Sequence, residues 1–153
     1  MNKETKMFSL ATELARAKSE QDMLASLTIY HASAEMIAPS FGSIAKGSTE
    51  IEQQLNVFFS LFPDYEVILQ QHAFNGNVML ATGQASLTLN IPGKKCPRIQ
   101  LPLFIEFHFH EDRISKEVFF LDIGMICRKS AVTSEELAKA QNTFQTLKQH
   151  TSH

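Results

Sequence analysis

Tryptophan is absent from this chain of 153 residues, cysteine and tyrosine occur twice each, and glycine and proline are sparse. The two cysteines, Cys96 and Cys127, form no CxxC pair and no ligand-like spacing. That excludes a disulfide framework or thiolate zinc site and predicts a reduced, cytoplasmic chain. No Gly-rich phosphate loop, HExxH helix or nucleophile elbow is present, which removes the common nucleotide, zinc-protease and serine-hydrolase chemistries. No apolar run approaches the ~20 residues that span a bilayer. The opening "MNKETKMFSLATELARAKSEQ" has no apolar signal core, so no signal peptide is expected. Net charge is −2 and no basic run exceeds Lys94–Lys95. An electrostatic platform for nucleic acid or membrane is therefore not expected.

What the chain does have is apolar patterning. Hydrophobic residues make up 44%, with 12 phenylalanines among them, enough for one compact core. Met7, Leu10, Ala11 and Leu14 recur at helical spacing. Ser19-Glu-Gln-Asp22 resembles a capping box opening a second short helix with Met23, Leu24 and Leu27 inward. Short strands and loops are expected across "YHASAEMIAPSFGSIAKG". Thr49 with Glu52 predicts the start of a third helix whose face carries Ile51, Leu55, Phe58, Phe59 and Phe62, and Pro63 ends it. From Tyr65 the period changes to two. Two strand runs flank Asn75-Gly76-Asn77, and two more flank "EDR", the last extending through "EVFFLDIGMICR". Thr133 and Glu136 open a C-terminal amphipathic helix bearing Leu137, Ala140, Phe144 and Leu147, and "QHTSH" reads as a frayed tail. The fold class is α+β: three N-terminal helices packed on a strongly curved, mainly antiparallel sheet, plus the C-terminal helix.

Candidate chemistry rests on isolated polar residues. Asp122 sits in an apolar strand pattern, where a carboxyl has its pKa raised and suits acid/base work; the structural alternative is a carboxylate bonded to backbone N–H groups. By alternation Val118, Phe120 and Asp122 share a face. His72 precedes the hairpin; if Asn75-Gly76 is the loop, it lies opposite Met79 and on a small-residue face with Ala81 and Gly83. Glu106, His108 and His110 share a face and are possible metal ligands, although an ordinary polar strand face is the simpler reading. Tyr30, beside His31, offers a hydroxyl that can donate to a substrate oxygen or sit in the core.

The segment "AEMIAPSFGSIAKGSTEIEQQLNVFFSLFPDYEV", with its Phe62-Pro63-Asp64 step, and the later "HEDRISKEVFFLDIGMI" resemble the SnoaL-like polyketide cyclases over roughly residues 8–128. The resemblance implies a nuclear transport factor 2-like, cone-like barrel over 1–132, with 133–153 as the added helix and tail. It implies acid/base catalysis without metal or organic cofactor, with Asp122 as the reacting carboxylate. It departs from the family pattern at Val118, where the family carries Trp. The expected site is Asp122 assisted by His72, in a pocket walled by Val118, Phe120, Tyr30 and Phe58. The expected partners are a small hydrophobic molecule and a second copy in a homodimer. The alternative is a non-catalytic ligand-binding or dimerisation module of the same fold.

Overall fold

The computed structural model describes residues 2–151, with side chains through Leu147. Chain order is α1 (Lys3–Ser19), α2 (Met23–Ile29), β1 (Tyr30–Ala38), a 3-10 turn (Pro39–Phe41), β2 (Ser43–Lys46), α3 (Gly47–Leu61), β3 (Glu66–Asn75), β4 (Val78–Thr88), β5 (Arg98–His110), β6 (Arg113–Leu121), α4 (Ile123–Ser130) and α5 (Ser134–Thr151). The strands form one sheet in the order β2-β1-β6-β5-β4-β3. All neighbours are antiparallel except β1 and β6, which run parallel. The helices and the curved sheet enclose a single hydrophobic core. Among the described residues no helix is long and apolar enough to cross a membrane.

Local chemistry explains the boundaries, with some shifts from expectation. Ser19 ends α1 instead of capping α2, and its hydroxyl accepts the Val67 N–H at 2.9 Å. Asp22 caps α2 by accepting the Ala25 N–H at 3.0 Å. Ser26 and Ile29 are buried, Met23 and Leu27 pack partly buried against the core, and Leu24, expected inward, is 80% exposed. Helix α3 begins at Gly47, and Glu50, not Glu52, reaches back to the Lys46 N–H at 3.1 Å. It ends before Pro63, which cannot continue the ladder. Asp64 then ties this corner to the sheet. It accepts the Thr88 N–H at 2.7 Å, the Thr88 hydroxyl at 2.6 Å and Arg98 Nη1 at 2.6 Å.

In the β3–β4 hairpin Asn75 pairs with Val78, so the two-residue loop is Gly76-Asn77 and His72 pairs with Ala81, not Met79. The β5–β6 turn has Glu111 and Asp112 both at positive φ, the geometry a tight hairpin needs. Strand β5 alternates cleanly, with Ile99, Leu101, Leu103, Ile105, Phe107 and Phe109 inward.

The expectation that the last strand runs through residue 128 is overturned. Strand β6 stops at Leu121, and Asp122 is the N-cap of α4, accepting the Met125 N–H at 3.0 Å. A short apolar run is equally legible as strand or helix, and here the capping carboxylate decides. Thr133 and Glu136 do form a reciprocal capping box, at 3.0 and 3.1 Å. Helix α5 packs on α3 and α4, with Leu137 and Ala140 buried. The expected tail at 149–153 lies largely outside the described residues: only the helical backbone to Thr151 is described there.

Candidate functional site

Beneath α3 lies a cavity of about 40 Å³, lined by residues of α1, α3, β1, β6, the 3-10 turn and α5. Phe58 dominates its apolar wall. The ring packs edge-on against Tyr65 at 4.8 Å, Phe62 at 5.1 Å, Phe119 at 5.6 Å and Phe41 at 6.3 Å. The polar lining is Lys18, Glu117, Tyr65, Ser43, Gln54 and Gln141. Gln141 of α5 reaches the Phe41 carbonyl at 3.4 Å, so the C-terminal helix borders the cavity directly.

Glu117 is the cavity's carboxylate, and its residue is only 1% exposed. Oε1 accepts Lys18 Nζ at 2.8 Å and the Tyr30 hydroxyl at 2.9 Å. Oε2 has no hydrogen-bond partner among the described residues. Such a group is expensive to bury, so the unpaired Oε2 beside a cavity marks a position for a hydrogen-bond donor, from a bound water or a ligand. Lys18 comes from the last turn of α1, where a cation also suits the helix dipole. Its ammonium lies 5.6 Å from the Phe119 ring centre and 5.9 Å from that of Tyr30. Burial, and then the Glu117 charge, push the phenols of both Tyr30 and Tyr65 well above their ordinary range. Both hydroxyls therefore stay protonated, and Tyr30 donates to Glu117.

A bulge aims Glu117 inward. Ile114 pairs with Phe109 and Lys116 with His108, leaving Ser115 as an extra residue. Ile114 is buried, so simple alternation from it would send residues 116, 118 and 120 inward. The bulge resets the phase, and Glu117, Phe119 and Leu121 are buried instead.

Of the expected site residues, the structure brings together Tyr30 and Phe58, the first hydrogen-bonded to Glu117 and the second in the cavity wall. Val118 and Phe120 lie on the opposite face of β6, and Phe120 is 42% exposed. Asp122 is exposed and occupied as a helix cap. His72 is exposed at the sheet edge, stacked on Phe8 at 4.6 Å. Glu106 bonds His108 at 2.9 Å and His110 pairs with Glu111 at 2.9 Å. Among the described residues no group of three or more His, Cys, Asp or Glu is placed to hold a metal ion. Sequence reasoning missed Glu117 and Lys18. The available signal was that Glu117 shares its alternation class with Phe119 and Leu121.

By sequence, no family model and no curated protein matches the chain. Solved structures do match in shape. A protein named as a SnoaL-like polyketide cyclase from Jannaschia sp. CCS1 superposes with TM-score 0.72 at 14% identity, covering 84% of this chain and 94% of that one. An NTF2-like protein from Burkholderia pseudomallei gives 0.72 at 13% identity, covering 83% and 98%. An LEH-like epoxide hydrolase of M. tuberculosis gives 0.68 at 14% identity, covering 83% and 90%. The chain thus has the nuclear transport factor 2-like fold that these proteins share, a cone of helices on a curved sheet.

Proposed function

We propose that this chain is a cofactor-free acid/base enzyme of SnoaL-like type acting on a small molecule, with Glu117 as the proton-transfer group. The observation that carries this reading is the buried Glu117 carboxylate, held through Oε1 by Lys18 and Tyr30 while Oε2 has no partner. A base needs a fixed orientation and a dry setting, and the aromatic wall supplies the second. A proton taken from a carbon acid would pass to Oε2. The Tyr30 and Lys18 hydrogen bonds would keep the carboxyl from rotating. The SnoaL-like cyclase and the epoxide hydrolase of the same fold support small-molecule chemistry in such a cone.

The test is deuterium exchange from solvent into the α-carbon of small enolisable ketones such as 2-hexanone, followed by NMR. The wild-type protein is expected to accelerate exchange. Glu117→Gln should lower it by about 10²–10⁴-fold, and Asp122→Asn should leave it unchanged. Equal loss in both variants, or loss only in Asp122→Asn, would return the role to Asp122.

A second reading, a ligand-binding module without turnover, is favoured by the small cavity and by the ion pair that already engages Glu117. Saturable ketone binding with no exchange above background would establish it. For assembly we propose a homodimer through the outer sheet face, where Leu80, Phe104 and Phe120 are exposed together.

A further inference from the structure

A second hollow lies beside the cavity. The cavity shares Gln54 and Val57 with this open groove of about 430 Å³ between β2, α3 and α5, lined also by Ile44, Glu50, Gln53 and Gln145. Three neutral amide side chains face this groove, each able to donate and accept. Its carboxylate, Glu50, is engaged by the Lys46 N–H at 3.1 Å, and among the described residues no lysine or arginine lines it.

We infer that the ligand is an unbranched, uncharged molecule, with a slim hydroxyl-bearing head at Glu117 Oε2 and an amide- or hydroxyl-bearing tail in the glutamine-lined groove. This rests on Glu117 being the ligand-facing group proposed above. Head size follows from volume. An apolar cavity of about 150 Å³ accepts benzene, so the 40 Å³ here excludes a ring and admits a chain end. Charge follows from the pairing. Lys18 and Glu117 neutralise each other at 2.8 Å, so a third charge would be buried without a counter-ion. An anionic head would meet the Glu117 carboxylate, and a cationic head would compete with Lys18. A neutral hydroxyl, as in an alcohol or the enol of a ketone, supplies the one thing Oε2 lacks, a donor. Tail chemistry follows from Gln53, Gln54 and Gln145.

The experiment uses the full chain and four probes sharing one carbon skeleton: 1-hexanol, hexanoate, hexylamine and 6-hydroxyhexanamide. Binding is read from the Glu117 side-chain carboxyl resonance in ¹³C NMR, assigned with Glu117→Gln. The alcohol should shift it saturably, and the acid and amine should bind at least tenfold more weakly. 6-Hydroxyhexanamide should bind about fivefold tighter than 1-hexanol, the worth of one net hydrogen bond. That ratio, measured within each protein, should fall to about one in Gln145→Leu. Hexanoate or hexylamine matching the alcohol would overturn the charge assignment. An amide tail that adds nothing in the wild type would overturn the groove assignment. No shift with any probe would overturn the ligand class. Alcohol binding without ketone exchange would instead fail the catalytic reading alone and leave this one standing.

Discussion

Lys18 and Glu117 are residues that a core rejects singly and tolerates as a pair. The Lys18 side chain is 9% exposed and that of Glu117 1%, with Tyr30 completing the shell on Oε1. Removing one member strands the other, and this sets the expected cost. Lys18→Met should lose about 3–5 kcal/mol in urea unfolding. Adding Glu117→Leu to it should recover most of that loss, which a double-mutant cycle measures. Asp122 belongs to a different category. As an exposed N-cap, its replacement by Ala should cost about 1 kcal/mol. The contrast was not legible from residue types. Asp122 stood out because both flanking faces were apolar, whereas Glu117 looked like the polar edge of the same strand. Its burial depends on the extra residue at Ser115, and a bulge is a property of the paired strands.

At the scale of elements, the Phe62-Pro63-Asp64 step has a mechanical explanation. Proline stops α3, and Asp64 bonds β4 through Thr88 and β5 through Arg98, fixing where the helix meets the sheet. Burial pushes the Asp64 carboxyl up, but its bonds to Thr88 and Arg98 outweigh that and hold it below the ordinary value of 3.8. The sign follows from linkage: a depressed carboxylate contributes stability above its unfolded pKa and loses it as pH falls through the folded value. Asp64→Asn should therefore lower the urea midpoint at pH 7, with the difference from wild type shrinking below about pH 3.8. With the side chain 39% exposed, solvent screening limits the effect to about 1 kcal/mol. An unchanged midpoint at pH 7 would show that the corner holds without this tie. A Thr133–Glu136 capping box is legible from spacing because both partners lie within one turn. At residues 117–128 strand end and helix start are indistinguishable from sequence because a short apolar run carries no period of its own.

For the whole molecule, the sheet has two unlike faces. The inner face is closed by α1, α3 and the Phe58 cluster, while the outer face exposes Phe104 at 56%, Leu80 at 49% and Phe120 at 42%. Contiguous exposed apolar side chains mark association surfaces. Sedimentation at micromolar concentration should show a dimer, and Phe104→Glu should convert it to a monomer with its fold intact. A wild-type monomer would remove this face from consideration. The C-terminal helix is a poorer candidate, since Leu137 and Ala140 are already buried within the same chain.

The sequence by itself determined the class of fold, the hairpins, the end of α3 and the opening of α5. These depend on residues within a few positions of one another: glycine and asparagine at turns, proline at a helix end, alternation along β5. Only the tertiary structure decided which face of β6 looks inward and that Lys18 and Tyr30 meet Glu117. The contacts involved span 99 and 87 residues of chain. Their geometry depends on strand register and on one bulge, and a shift of one residue there exchanges the buried face for the exposed one.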